Sequence, residues 1–139
     1  MSAASGGRRV YVTGGSGFLG SNVVTALAAR PDVELVVSGD LRPPRVPVED
    51  VVVVHGDVTS PGSLAPQFRE HRIDTVVHLA SIVNPGAATT VEQEYAVDVE
   101  GSRHVLDACV EAGVRRVVVS SSGAAYGYYA DNPMPLRET

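Results

Sequence analysis

The sequence predicts an α/β fold, a doubly wound parallel sheet with helices on both faces, from three observations. Five apolar, mostly Val-rich runs recur along the 139 residues, beginning near Arg9, Val33, Val51, Thr75 and Arg116. They are continuous rather than alternating, the pattern of strands covered on both faces. Segments with apolar residues at helical spacing fall between them, and that alternation of strand and helix specifies a parallel sheet.

Each element follows from its own residues. Met1 to Gly7 is small and polar, so residues 1–8 are expected as a disordered N-terminus and the domain as 9–139. Strand 1 is Arg9 to Thr13. A helix from Phe18 to Arg30 carries Leu19, Val23, Val24 and Leu27 on one face, and Pro31-Asp32 ends it. Strand 2 is Val33 to Ser38, and Leu41 to Pro47 holds three prolines that cannot continue a sheet. Strand 3, Val51 to Val54, is wholly apolar. Thr59-Ser60-Pro61 offers a cap and a first-turn proline for a short helix to His71. Strand 4 is Thr75 to Leu79, and a loop containing Asn84-Pro85-Gly86 leads to a long helix from Thr90 to Ala112. Gly113 closes that helix and strand 5 is Arg116 to Ser120. Tyr126 to Thr139, with Pro133 and Pro135, reads as loop, so the sheet of about five strands is expected to be incomplete on its C-terminal side.

Composition bounds the function. A hydrophobic content of 44% fits one globular domain. A net charge of −5 argues against nucleic-acid or anionic-membrane partners, which call for a basic face. No apolar run has the length of a membrane span or a signal-peptide core, and a cytoplasmic location is expected. Cys109 is the one cysteine; its helical, apolar setting predicts a buried and inert thiol. All eleven basic residues are Arg, and there is no Lys.

The chemistry starts at Val10-Tyr11-Val12-Thr13-Gly14-Gly15-Ser16-Gly17-Phe18-Leu19-Gly20, which reads as strand, phosphate loop and helix start. Gly14 or Gly15 permits the tight turn, Gly17 lets the backbone approach a pyrophosphate, and Gly20 lets the helix pack closely. The free N–H groups of the helix start would hold the phosphates. Asp40 stands twenty residues past Gly20 at the end of strand 2, placed for an adenosine ribose. These features predict a Rossmann fold that binds a dinucleotide. Asp57-Val58 follows strand 3 at the carboxyl edge, where a carboxylate suits the exocyclic amine of adenine or caps the next helix. His78-Leu79-Ala80-Ser81 ends strand 4 at the same crevice, with His78 read as a satisfied core histidine. Ser120 to Gly127 puts hydroxyls at the end of strand 5. His55, His71 and His104 lack metal-ligand spacing, and no metal site is expected.

The order of these motifs, together with Val97-Asp98-Val99-Glu100-Gly101 and Ser122…Tyr126-Gly127, resembles the extended short-chain dehydrogenase/reductase family, and within it the NAD-dependent epimerase/dehydratase group. The resemblance covers Arg9 to Thr139. It implies NAD as cofactor, with Gly14, Gly17 and Gly20 in the pyrophosphate loop and Phe18 and Leu19 as its next contacts. It implies Asp40 on the ribose, Asp57 and Val58 on adenine, and Leu79, Ala80 and Ser81 along the cofactor. Ser122 corresponds to the catalytic residue that hydrogen-bonds the substrate oxygen. A nucleotide sugar is the implied small-molecule substrate of this oxidoreductase, and a homodimer the implied assembly of the parent.

Two departures stand out. Asp98 occupies the family's usual Asn position, and the family's Tyr-x-x-x-Lys pair is missing. In the family that Tyr moves the hydroxyl proton with the Lys lowering its pKa, whereas an unassisted phenol near pKa 10 is a poor base at neutral pH. The sequence is therefore expected to be the amino-terminal part of such an enzyme, inactive by itself; the second reading is a non-catalytic dinucleotide-binding module.

Overall fold

The structure, a computed structural model, describes residues 6–137, so residues 1–5 of the expected disordered N-terminus lie outside the described residues. Five strands form one parallel sheet: β1 (Arg8–Thr13), β2 (Val33–Asp40), β3 (Val51–His55), β4 (Thr75–His78) and β5 (Arg116–Val119), in the order β3-β2-β1-β4-β5. Helices α1 (Phe18–Ala28), α2 (Leu64–Glu70), α3 (Val91–Tyr95) and α4 (Gly101–Ala112) flank it. The doubly wound class predicted above is the class observed.

β1 lies at the centre, and its alternate side chains build two cores because successive residues of a strand point to opposite faces. Val10 and Val12 join Val24 and Val36 on the α1 face. Tyr11 joins Phe68, Val76, Val105 and Ala108 on the face of α2 and α4. The Tyr11 ring meets Phe68 edge-on at 4.8 Å, and its hydroxyl donates to Gln67 Oε1 at 2.8 Å. Burial pushes this phenol well above its ordinary value, so Tyr11 has no use as a base. Cys109, 4% exposed, lies in the same core, where burial raises its thiol to about 11 and leaves it protonated and unreactive.

Several expected boundaries move, each for a physical reason. Arg8, read as disordered, opens β1 because its N–H donates to Asp32 O and its register partner is Val33. α1 stops at Ala28, before Arg30, because Arg30 N–H closes a tighter turn onto Leu27 O and Pro31 disfavours helical backbone at the residue before it. β2 runs on through Gly39 and Asp40, which pair with Val54 and His55. The helix expected from Ser60 begins only at Leu64, since Gly62 takes φ +75°, outside helical space. β3, expected to be covered on both faces, is an outer strand with Val53 45% exposed. The long helix from Thr90 is continuous but not uniform: Ala96–Glu100 is a π-helical segment between α3 and α4.

Candidate cofactor site

After β1 the chain moves to β2 and β3 on one side, and later to β4 and β5 on the other. The carboxyl ends of β1 and β4 therefore flank the switch point at which ligands of such sheets bind. Gly14 makes the tight turn there, with φ +68°, a conformation that disfavours a side chain. A Cβ on it would also lie 2.8 Å from Ala80 N, so the turn and the end of β4 touch. A Cβ on Gly20 would lie 2.0 Å from Gly14 O, which is why α1 can start directly against the loop.

A dinucleotide fits these residues. A Cβ on Gly17 would meet Gly14 O at 3.3 Å and nothing else within 4 Å, so the loop face is open where a pyrophosphate would approach. Phe18 and Leu19 begin α1, and their N–H groups have no helical acceptor. Phe18 is 92% exposed, so it is the main chain, not a packed ring, that this turn presents.

Asp40 ends β2 beside the loop. Its Oδ2 accepts from Ser16 N at 3.1 Å and its Oδ1 from Arg42 N at 3.2 Å, while Ser16 Oγ donates to Arg42 O at 2.8 Å. Each oxygen keeps a second acceptor position for a ribose hydroxyl. The carboxylate lines a cleft of about 620 Å³ between the start of α1 and the Pro43-Pro44 loop, shared with Ser16, Gly17, Phe18 and Arg42.

The remaining predicted residues divide. Asp57 Oδ1 accepts from Thr59 N and Thr59 Oγ1, at 2.8 and 2.7 Å, so the local turn uses one oxygen and leaves Oδ2 without a partner among the described residues. The Val58 side chain is buried against Gly101, and its carbonyl accepts from His104 Nδ1 at 2.9 Å; only its N–H remains for a ligand. Leu79 and Ala80 donate their N–H groups to Thr13 Oγ1, at 3.1 and 3.2 Å, which brings them to the glycine turn. Ser81 follows them, exposed. Ser122 lies past β5, two strands from β1, where its exposed hydroxyl accepts from Ala124 N at 3.2 Å and caps a 3-10 turn, Gly123–Tyr126. Asp98 keeps an acceptor in the place of the family's Asn: its Oδ1 accepts from Ile82 N at 3.0 Å.

Thr13 and Ser16 were not singled out by sequence reasoning, although each ties a segment expected to line the cofactor to the loop. Thr13 had a readable signal, since it is the last residue of the expected strand 1; its register with His78 at the end of β4 is visible only in the structure. Among the described residues no group of three or more side chains is arranged to hold a metal, and no helix is long and apolar enough to cross a membrane.

The family model of the NAD dependent epimerase/dehydratase family matches residues 10–139. The chain belongs to this family. A UDP-glucose 4-epimerase of Azospirillum brasilense is 39% identical over 133 residues, covering 94% of this chain and 37% of that protein. A 3-beta-hydroxysteroid dehydrogenase of Mycolicibacterium neoaurum is 38% identical over 122 residues, 84% of this chain and 32% of the other. Among solved structures, the Bordetella bronchiseptica enzyme WbmG in complex with NAD superposes with a TM-score of 0.77 at 28% identity, covering 94% of this chain and 42% of that one. The chain thus spans well under half the length of the relatives it matches. NAD is the cofactor of this epimerase/dehydratase family, and the glycine turn, Asp40 and the β4 end lie in the part that matches.

Proposed function

We propose that this chain is the NAD-binding portion of a nucleotide-sugar epimerase or dehydratase that works by transient hydride transfer. The observation that carries the reading is the left-handed turn at Gly14, followed by the open face at Gly17 and flanked by Asp40 at the switch point of the sheet. NAD supplies the hydride acceptor when bound. The N–H groups of Phe18 and Leu19 hold the pyrophosphate, Asp40 accepts from ribose hydroxyls, and Asp57 with the Val58 N–H takes the adenine edge. Leu79, Ala80 and Ser81 pass beside the cofactor, and Ser122 hydrogen-bonds the substrate oxygen. That the known relatives include UDP-glucose 4-epimerases favours a nucleotide sugar.

The base that takes the substrate proton is not supplied by a Tyr-x-x-x-Lys pair of this sequence, which has no Lys. General base catalysis typically contributes about 10² to 10⁴ in rate, so the chain by itself is expected to bind NAD and not to turn over. Calorimetric titration of the folded chain with NAD tests the binding, and a panel of nucleotide sugars followed by NADH absorbance and product analysis tests turnover. A folded chain that takes up no NAD would overturn the reading. Turnover lost in Ser122→Ala would overturn the inactivity.

A further inference from the structure

We infer that Thr13, His78 and Ser102 form one hydrogen-bond relay with a fixed proton order, and that His78 is through it the positioning residue of the cofactor-lining segment at Leu79 and Ala80. Ser102 Oγ lies 2.6 Å from Asp98 O, an acceptor only, so it donates its single hydrogen there. Towards His78 Nε2, 2.9 Å away, Ser102 Oγ must accept, and Nε2 carries the proton. A neutral imidazole has one N–H, so Nδ1 accepts, and the Thr13 hydroxyl donates to it at 2.7 Å. The two lone pairs of Thr13 Oγ1 then face the N–H groups of Leu79 and Ala80. Every hydrogen and lone pair of the Thr13 hydroxyl is engaged in a site where Thr13 is 1% and His78 3% exposed.

The order breaks when His78 gains a proton. Nδ1 would become a third donor aimed at an oxygen with two lone pairs already engaged, and the Thr13 hydrogen would lose its acceptor. Either the His78 to Thr13 link or the hold of Thr13 Oγ1 on Leu79 and Ala80 must open; Leu79 N–H also donates to Thr13 O at 3.2 Å and keeps that acceptor, so Ala80 is the residue released. The glycine turn lies directly against that segment, close enough that a Cβ on Gly14 would sit within 3 Å of Ala80. Asp98, from the π-helical segment, is the charged group that bears on His78 and favours its protonation; burial opposes it more strongly and lowers the imidazole below its ordinary 6.5. β1 presents Thr13, α4 presents Ser102 and β5 pairs Val119 with it, none of which ionises in this range.

The functional arm rests on the NAD-binding reading; the structural arm does not. Side-chain and amide nuclear magnetic resonance of the full chain from pH 8 to 5 should show His78 as the Nε2–H tautomer, with a midpoint below 6.5, and the Leu79 and Ala80 amides shifting at that midpoint. In Thr13→Val those amides should lose that response. The Nδ1–H tautomer, or amides indifferent to His78, would overturn the relay whether or not NAD binds. If NAD binds, its affinity should fall at least about fivefold, the low end of coupling between sites, as the pH crosses that midpoint. His78→Asn keeps an acceptor for Thr13 without a titrating group and should remove that dependence. Equal pH dependence in both proteins would overturn the positioning role and leave the NAD reading standing.

Discussion

Gly17→Val places a branched side chain on the open face of the phosphate loop. The residue has φ −72° and ψ 175°, which valine adopts readily, and its Cβ meets only Gly14 O. NAD binding should therefore be lost with the melting temperature little changed; calorimetry and thermal unfolding of the same sample check both. With Asp40 on the ribose as proposed, its carboxylate would stand where a 2′-phosphate has to go, and like charges repel at close range. Titration should show NAD bound more tightly than NADP; the Arg42 side chain in the same cleft is the group that could oppose this. His78 adds a pH dependence of its own. Its folded pKa lies below the unfolded value, so the unfolded chain binds more protons. The stability from neutral His78 is complete above pH 6.5 and is lost as the pH falls below it, which urea unfolding between pH 8 and 5 measures. The glycine turn and the place of Asp40 at the end of β2 were legible from spacing within one βαβ unit, and the core character of His78 from its apolar flanks Val77 and Leu79. The burial of Val58 under Gly101 depends on a contact between segments remote in sequence, whereas the use of Asp57 by Thr59 is a local turn, the capping alternative that an Asp before a helix leaves open.

The helix from Val91 shows the same division at the next level. Thr90 begins it with a capping box: its hydroxyl accepts from Gln93 N at 3.2 Å, and Gln93 Oε1 accepts from Thr90 N at 2.9 Å. Thr90→Ala should cost roughly 0.5 to 2 kcal/mol, the range for losing such a cap, read as a shift of the urea midpoint without a change of slope. Both ends of this helix were readable from Thr90 and Gly113. The π-helical stretch between them was not, because its apolar spacing over five residues is indistinguishable from that of an α-helix. That stretch carries Asp98, whose side chain meets Ile82 and whose carbonyl meets Ser102, in keeping with the tendency of π segments to occur at functional sites. For α2, the strong cap signal of Thr59-Ser60-Pro61 misled, because the positive φ of Gly62 outranks it.

Across the molecule, alternating βα composition predicted the parallel sheet and its incomplete C-terminal side, beyond strand 5, without placing β3 at the opposite one of its two edges. β3 and β5 are those edges. On β5, Val118 and Val119 are 50% and 51% exposed, and an unpaired Val-rich edge is a template for another strand. The chain should associate as its concentration rises, and Val118→Lys should shift it towards monomer in sedimentation velocity. An unchanged distribution would place the association elsewhere.

The central position of β1 also sets a timetable for the growing chain. Val10 pairs with Val36 on one side and with Thr75 on the other. At about 5–20 residues per second, the 65 residues between Val10 and Thr75 take roughly 3–13 s to make. From Val36 to Thr75, 39 residues or roughly 2–8 s at that rate, one flank of β1 is closed by β2 and the other is bare, and Tyr11 waits for Phe68 and Val76.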